Sequence, residues 1–155
     1  MSRGSRLPWA EDHGNALRDI PAGPPGHHVI VPPVQVRFTR QAEAELDAIA
    51  DLAERAAVEN AIEKLKAVGN QLAYPHSSQI EGGDRLRELR PRRGRSRWRA
   101  FYRQIGESFV IGSIGPEAAV NPRAFRQAVA DAKTRLNEIE RRIREHDEKH
   151  ESGHE

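Results

Sequence analysis

The sequence predicts a single α+β domain whose helices pack on one β-sheet, and two patterns lead to this prediction. Strand-forming segments lie at about residues 85–90 and 97–104, and an apolar run marks a third strand at 108–114. Apolar residues spaced three and four apart predict helices on both sides of these strands. The predicted order is therefore one strand, two helices, a three-stranded antiparallel meander and a final helix.

The first half of the domain follows from local signals. Residues 34–38 alternate apolar and polar side chains, which predicts a strand, and Thr39 is suited to cap the helix that follows. Two helices are predicted, at about 40–53 and 55–68, because the apolar register slips between them. Gly69 is a plausible C-terminal stop.

The second half begins with a loop, predicted at 70–84 from its Pro, Gly, Ser and Asn content. Short turns between the next three strands predict antiparallel pairing. Asn121 and Pro122 form a strong helix start. The final helix carries an apolar stripe at Phe125, Ala128, Ala132, Leu136, Ile139 and Ile143.

The domain is expected to span residues 34–145. The Pro- and Gly-rich segment 1–33 is interpreted as a flexible leader, and the charged segment 146–155 as a disordered tail. The chain has no cysteine, which excludes disulfides and thiolate metal sites. No apolar run approaches the roughly 20 residues that span a bilayer. A cytoplasmic protein without membrane, metal or cofactor is therefore expected.

Positive charge is concentrated in one region. Nine of the nineteen residues from Arg85 to Arg103 are arginine, and Glu88 is the only acid among them. So much like charge contributes no packing energy to the fold and introduces some electrostatic repulsion. Binding to a polyanion is therefore the best explanation for this concentration of arginine. A dense guanidinium surface most often binds nucleic acid.

The arrangement of these motifs resembles the RelE/ParE toxin superfamily, with the HigB and phage Gp49-like toxins as the closest branch. The resemblance covers about residues 34–140. It is carried by the segments 86–90 (Leu-Arg-Glu-Leu-Arg) and 98–102 (Trp-Arg-Ala-Phe-Tyr), the apolar strand at 109–114 and the final helix. It implies a RelE-like fold and the toxin of a type II toxin–antitoxin system. It also implies a helix-turn-helix antitoxin as partner and cleavage of mRNA on the ribosome.

The chain departs from the family pattern after its last strand. RNA-cleaving members typically carry a basic cluster there, whereas this chain has Glu117, with Arg123 and Arg126 only later. Two alternatives therefore stay open. One is a non-enzymatic ParE-like inhibitor of DNA gyrase, and the other is a degenerate toxin that binds RNA without cutting it.

Metal-free RNA cleavage needs a base for the 2′-hydroxyl and a cation for the pentacoordinate phosphate. Arg99 matches the arginine of the family's strand motif, and Arg90 matches the arginine of its Glu-Leu-Arg motif; both are predicted to stabilise the phosphate. Glu88 is a candidate base, with an ion pair to Arg90 as the alternative. His76 is the only histidine outside the predicted leader and tail. Its intrinsic pKa suits acid–base chemistry, although an incidental loop residue is the commoner outcome.

Strand alternation places Arg97, Arg99, Phe101 and Arg103 on one face, with Trp98 and Tyr102 opposite in the core. If the helices cover only the opposite face, this arginine row is displayed, and Phe101 is the better candidate for base stacking. The remaining predicted RNA contacts are Arg92, Arg93 and Arg95 at the hairpin tip, together with Arg87 and Arg123.

Overall fold

The computed structural model describes residues 34–152, which form a five-stranded mixed sheet and three α-helices. The strand order across the sheet is β1-β5-β4-β3-β2. The predicted leader, 1–33, and residues 153–155 of the predicted tail lie outside the described residues. The strands are β1 (Gln35–Phe38), β2 (Ser77–Gln79), β3 (Arg87–Leu89), β4 (Trp98–Ile105) and β5 (Ser108–Pro116). The helices are α1 (Arg40–Asp47), α2 (Leu52–Val68) and α3 (Pro122–Ser152).

The predicted α+β class and the predicted meander are confirmed, since β3, β4 and β5 pair antiparallel in sequence order. Two features of the sheet were not predicted. Strand β1 pairs with β5 in parallel, across the two intervening helices. Strand β2 lies within the segment that was predicted to be a loop. That prediction arose because Ser77, Ser78 and Gln79 show neither apolar alternation nor β-branching.

Helices α1 and α2 pack on one face of the sheet. Thr39 caps α1 by accepting the backbone N–H of Ala42 at 3.0 Å, as predicted. Asp51 caps α2 by accepting the N–H groups of Ala53 and Glu54, so the break between the helices lies at 48–51. Their buried side chains meet the sheet in one cluster, which includes Leu46, Ile62, Leu65, Leu89, Ala100, Tyr102 and Ile111.

Helix α3 packs on the opposite face, which corrects the expectation that one face stays open. Close approach is possible because β5 carries glycine where the helix crosses it. A Cβ at Gly112 would lie 2.9 Å from Cγ of Leu136, and one at Gly115 would lie 2.6 Å from Cβ of Ala128. Both faces of the sheet are therefore covered, and the predicted display of an arginine row on β4 is wrong.

Helix α3 continues through Ser152, so residues 146–152 of the predicted disordered tail are helical and the predicted domain boundary at 145 falls inside the helix. Ion pairs one turn apart stabilise the turns directly before residue 146: Arg141 pairs with Glu138 and Glu145, and Arg142 pairs with Glu138. Hydrogen bonds from Arg141, and then from Arg142, lower the pKa of Glu138 to about 2.

Candidate nucleic-acid interface

A groove with a volume of about 490 Å³ lies between α2 and the short 3₁₀ turn Pro91–Gly94 that joins β3 to β4. Its floor is formed by small or apolar side chains, and its rim by basic ones. We call it the α2 groove. The apolar lining residues are Ala53, Ala56, Ala57, Ala61, Leu72 and Leu89, and the polar ones are Asn60, Lys64, His76, Arg90, Arg92 and Arg93.

The turn beside the groove has an unusual backbone. Arg92 and Arg93 both have positive φ angles, 54° and 58°, which residues other than glycine rarely adopt. A clasp to α2 holds the turn in place, because Glu54 accepts from Nη1 of Arg92 at 3.0 Å and from Oγ of Ser96 at 2.6 Å. Residues held in sparsely populated backbone regions concentrate at functional sites.

Arg90 is a fixed wall of the groove. Its Nε donates to the carbonyl of Pro75 at 3.0 Å, and its Nη1 donates to Glu88 at 3.4 Å. Its guanidinium also lies against the ring of Tyr74, with Cζ 5.1 Å from the ring centroid. Gly94 packs close by, since a Cβ there would lie 3.0 Å from Cζ of Arg90 and nearer still to Nη2. The predicted ion pair between Arg90 and Glu88 is therefore present.

His76 lines the α2 groove and is half-buried. Desolvation by burial lowers its pKa below the ordinary value of 6.5, and the positive charges of Lys64 and Arg93 lower the pKa further. The neutral imidazole therefore predominates at neutral pH. The only histidine of the predicted domain thus lies among the groove's cations.

Arg99 is buried rather than displayed, with 2% of its surface exposed. Its Nε donates to Glu88 and its Nη2 to Glu117, both at 2.9 Å. The same guanidinium donates to the carbonyls of Gly94, Ser96 and Trp98, at 3.2, 2.7 and 3.0 Å. The acid that departs from the family pattern, Glu117, thus neutralises a buried arginine.

The other two residues expected to be displayed on β4 are also buried. Phe101 is fully buried under α3 and makes an edge-to-face contact with Phe125, so it has no surface on which a base could stack. Arg103 is 1% exposed and its Nη1 donates to Asn137 and Glu140 on α3. Tyr102 lies in the core, as predicted, and Trp98 packs at its edge.

Apart from Arg92, four predicted RNA contacts are exposed: Arg93, Arg95, Arg97 and Arg123. None of them forms an ion pair or hydrogen bond with another side chain in the part of the chain that the structure describes. Arg92 is half-exposed and held by Glu54, while Arg87 is half-buried and donates to Oγ of Ser77 at 3.0 Å. The free positive charge is therefore on the hairpin tip and at the start of α3.

Two residues, Lys64 in the groove and Tyr74 beside it, were missed by the sequence prediction. Lys64 lies on α2, whose polar residues were interpreted only as a solvated face. Tyr74 was counted only as part of a loop, although an aromatic residue directly before Pro75 and His76 is a usable signal. No group of three metal-ligating side chains occurs within residues 34–152. None of the three helices combines the length and apolar character that a bilayer-spanning helix needs.

Comparison with known proteins identifies the central part of the chain. Residues 44–111, less than half of the 155-residue chain, match the family model described as Phage derived protein Gp49-like (DUF891). The predicted resemblance to Gp49-like proteins is confirmed. This segment includes helix α2, the 3₁₀ turn and the loop with His76, so it contains both walls of the α2 groove.

One solved structure similar to this chain is the Escherichia coli toxin RelE, as a double arginine-to-alanine mutant in the free state. The two are 14% identical, with a TM-score of 0.47, over 63% of this chain and 96% of that one. No curated protein sequence matches the chain significantly.

Proposed function

We propose that this protein is the toxin of a type II toxin–antitoxin system and that it cleaves mRNA on the ribosome without a metal ion. The observation that supports this most is the α2 groove, where a neutral histidine lies among cations within the Gp49-like segment. The antitoxin is expected to carry a helix-turn-helix domain, and the site of action is the cytoplasm, where mRNA is translated.

The cations of the groove are suited to the phosphate that is attacked. Arg93 and Lys64 are exposed at the rim, so their donors are available to a ligand. Guanidinium and ammonium groups placed beside a pentacoordinate phosphate stabilise its extra negative charge. Arg90 adds a third cation whose position is fixed by Pro75. These three residues take the role that the sequence assigned to Arg99 and Arg90.

His76 is the preferred general base. A base that removes the proton from the 2′-hydroxyl must be unprotonated at the working pH, and the lowered pKa of His76 meets that condition. Glu88 is less suited, because its Oε2 already accepts from Arg99 and Arg90. Proton removal by His76 lets the 2′-oxygen attack phosphorus. The bond between phosphorus and the 5′-oxygen breaks, and that oxygen takes a proton from solvent, which gives a 5′-hydroxyl and a 2′,3′-cyclic phosphate.

Arg99 and Glu88 act as positioning residues in this proposal. Arg99 joins β3 to the 94–96 turn through Glu88 and through the carbonyls of Gly94 and Ser96. That arrangement fixes the positions of Arg93, within the 3₁₀ turn, and of Arg90, directly before it. The exposed residues Arg95, Arg97 and Arg123 are available for phosphates of ribosomal RNA, at a distance from the reacting bond.

The proposal is tested by induced expression of the full chain in a bacterial host without its antitoxin. Growth arrest with cleaved transcripts is expected, and His76→Ala or Arg93→Ala should relieve it. Soluble protein that accumulates while transcripts and translation stay intact would refute the proposal.

Two further assays separate the alternatives. Inhibition of gyrase supercoiling by the purified protein would support the ParE-like function. Salt-sensitive binding to RNA that stays uncut after long incubation would support a degenerate toxin instead.

A further inference from the structure

Tyr74 is the exposed aromatic residue beside the α2 groove, and its surroundings distinguish it from an incidental surface tyrosine. It is 69% exposed, although tyrosine side chains usually bury most of their ring. Its ring lies against Arg90, which lines the groove, and it precedes Pro75 and His76 in the chain. An exposed aromatic ring next to unpaired cations is the combination that single-stranded nucleic acid uses.

The ring rests on a guanidinium that has little freedom to move. Cζ of Arg90 lies 5.1 Å from the ring centroid of Tyr74. The side chain of Arg90 donates hydrogen bonds to Pro75 and Glu88, and Gly94 of the turn packs directly against its guanidinium. A cation on one face withdraws electron density from the ring, which favours a second, electron-rich π system on the other face.

We propose that Tyr74, supported by Arg90, is a stacking platform for an unpaired RNA base whose phosphates are held by Lys64 and Arg93. This rests on the proposed function and adds the substrate class, single-stranded RNA with one splayed base at the cleavage site. The platform accepts any base, because every base has a π face. The role given to Phe101 by the sequence thus passes to Tyr74.

The test is equilibrium binding of the full-length protein to a single-stranded 12-mer RNA and to a backbone-matched abasic 12-mer, at low salt. Stacking on an aromatic side chain contributes about 1–3 kcal/mol per base, so Tyr74→Ala should weaken RNA binding by about fivefold or more. Tyr74→Phe keeps the ring and should bind as wild type does. The abasic strand should bind wild type and Tyr74→Ala equally.

The outcomes separate this proposal from the proposed function. If Tyr74→Ala binds RNA as tightly as wild type, the platform is wrong while RNA binding stands. If wild type binds the abasic strand as tightly as RNA, the platform is also wrong. If wild type binds neither strand, the platform is wrong, while the proposed function is decided separately by transcript cleavage in the expression test. A Tyr74→Leu variant excludes a purely apolar effect, since it should bind RNA as weakly as Tyr74→Ala.

Discussion

Replacing Arg99 with methionine should destabilise the fold rather than remove a catalytic group. Methionine fills the same volume as the arginine stem but leaves Glu88 and Glu117 without their buried partner. Breaking a buried ion pair by removing one partner costs about 3–5 kcal/mol. Glu88 keeps its 3.4 Å pair with Arg90, so the lower end, about 3 kcal/mol, is expected.

Urea denaturation followed by far-ultraviolet circular dichroism measures this loss. Small proteins lose about 1–3 kcal/mol of stability per molar urea, so the midpoint should fall by about 1–3 M. Arg97→Met is the matched control, because Arg97 is an exposed arginine directly before β4. This substitution should change the free energy of unfolding by less than about 0.5 kcal/mol. An unchanged midpoint for Arg99→Met, combined with lost RNA cleavage, would refute the structural role and restore Arg99 as a catalytic candidate.

Three more predictions follow from burial and charge. Phe101→Ala should lower the free energy of unfolding by about 3–5 kcal/mol in thermal or urea denaturation, and a variant with intact stability but weaker RNA binding would contradict its core position. The cleavage rate should rise with pH as His76 loses its proton, reach half its maximum below pH 6.5 and stay level at pH 7–8. A half-maximum above 6.5 would exclude His76 as the base. Lys64→Ala and Arg93→Ala should each reduce the slope of log binding constant against log salt by about 0.7, and an unchanged slope would mean that these groups touch no phosphate.

The element order of the fold could be predicted because each element has a strong local signal. Thr39 and Asn121 cap the helices that they were predicted to cap, and the alternation along 97–104 gives β4 within one residue at each end. The parallel pairing of β1 with β5 could not be predicted, because it depends on how α1 and α2 return the chain across the sheet. Strand β2 escaped prediction because its pairing with β3, rather than its own composition, makes it a strand.

The candidate site was predicted only in part, and the reason is the position of α3. The stripe on α3 could pack on either face of the sheet, and the sequence leaves that choice open. Glycine at 112 and 115 permits the helix to lie on the face that carries Phe101 and Arg103, which buries both. Arg99 is instead enclosed by Glu88, Glu117 and the 94–96 turn. The hairpin tip stays exposed whichever face α3 packs on, so the predicted exposure of Arg93 and Arg95 does not depend on it.

The surroundings of His76, the proposed base, could not be predicted for a related reason. A histidine in a loop has no periodicity that shows what surrounds it. Only the folded chain brings His76 between Lys64 on α2 and Arg93 on the turn, residues that are far apart in sequence from one another. The partial burial of the ring and these two charges lower its pKa further, so the imidazole stays neutral at neutral pH.

The most direct test of the central claim is to map the RNA ends produced when the purified full-length protein acts on mRNA in translating ribosomes. We expect strand breaks with 2′,3′-cyclic phosphate and 5′-hydroxyl ends, which are the products of attack by the neighbouring 2′-oxygen. We also expect that His76→Ala abolishes the breaks while the variant stays folded. Intact mRNA with wild-type protein, or full cleavage by folded His76→Ala, would contradict the claim.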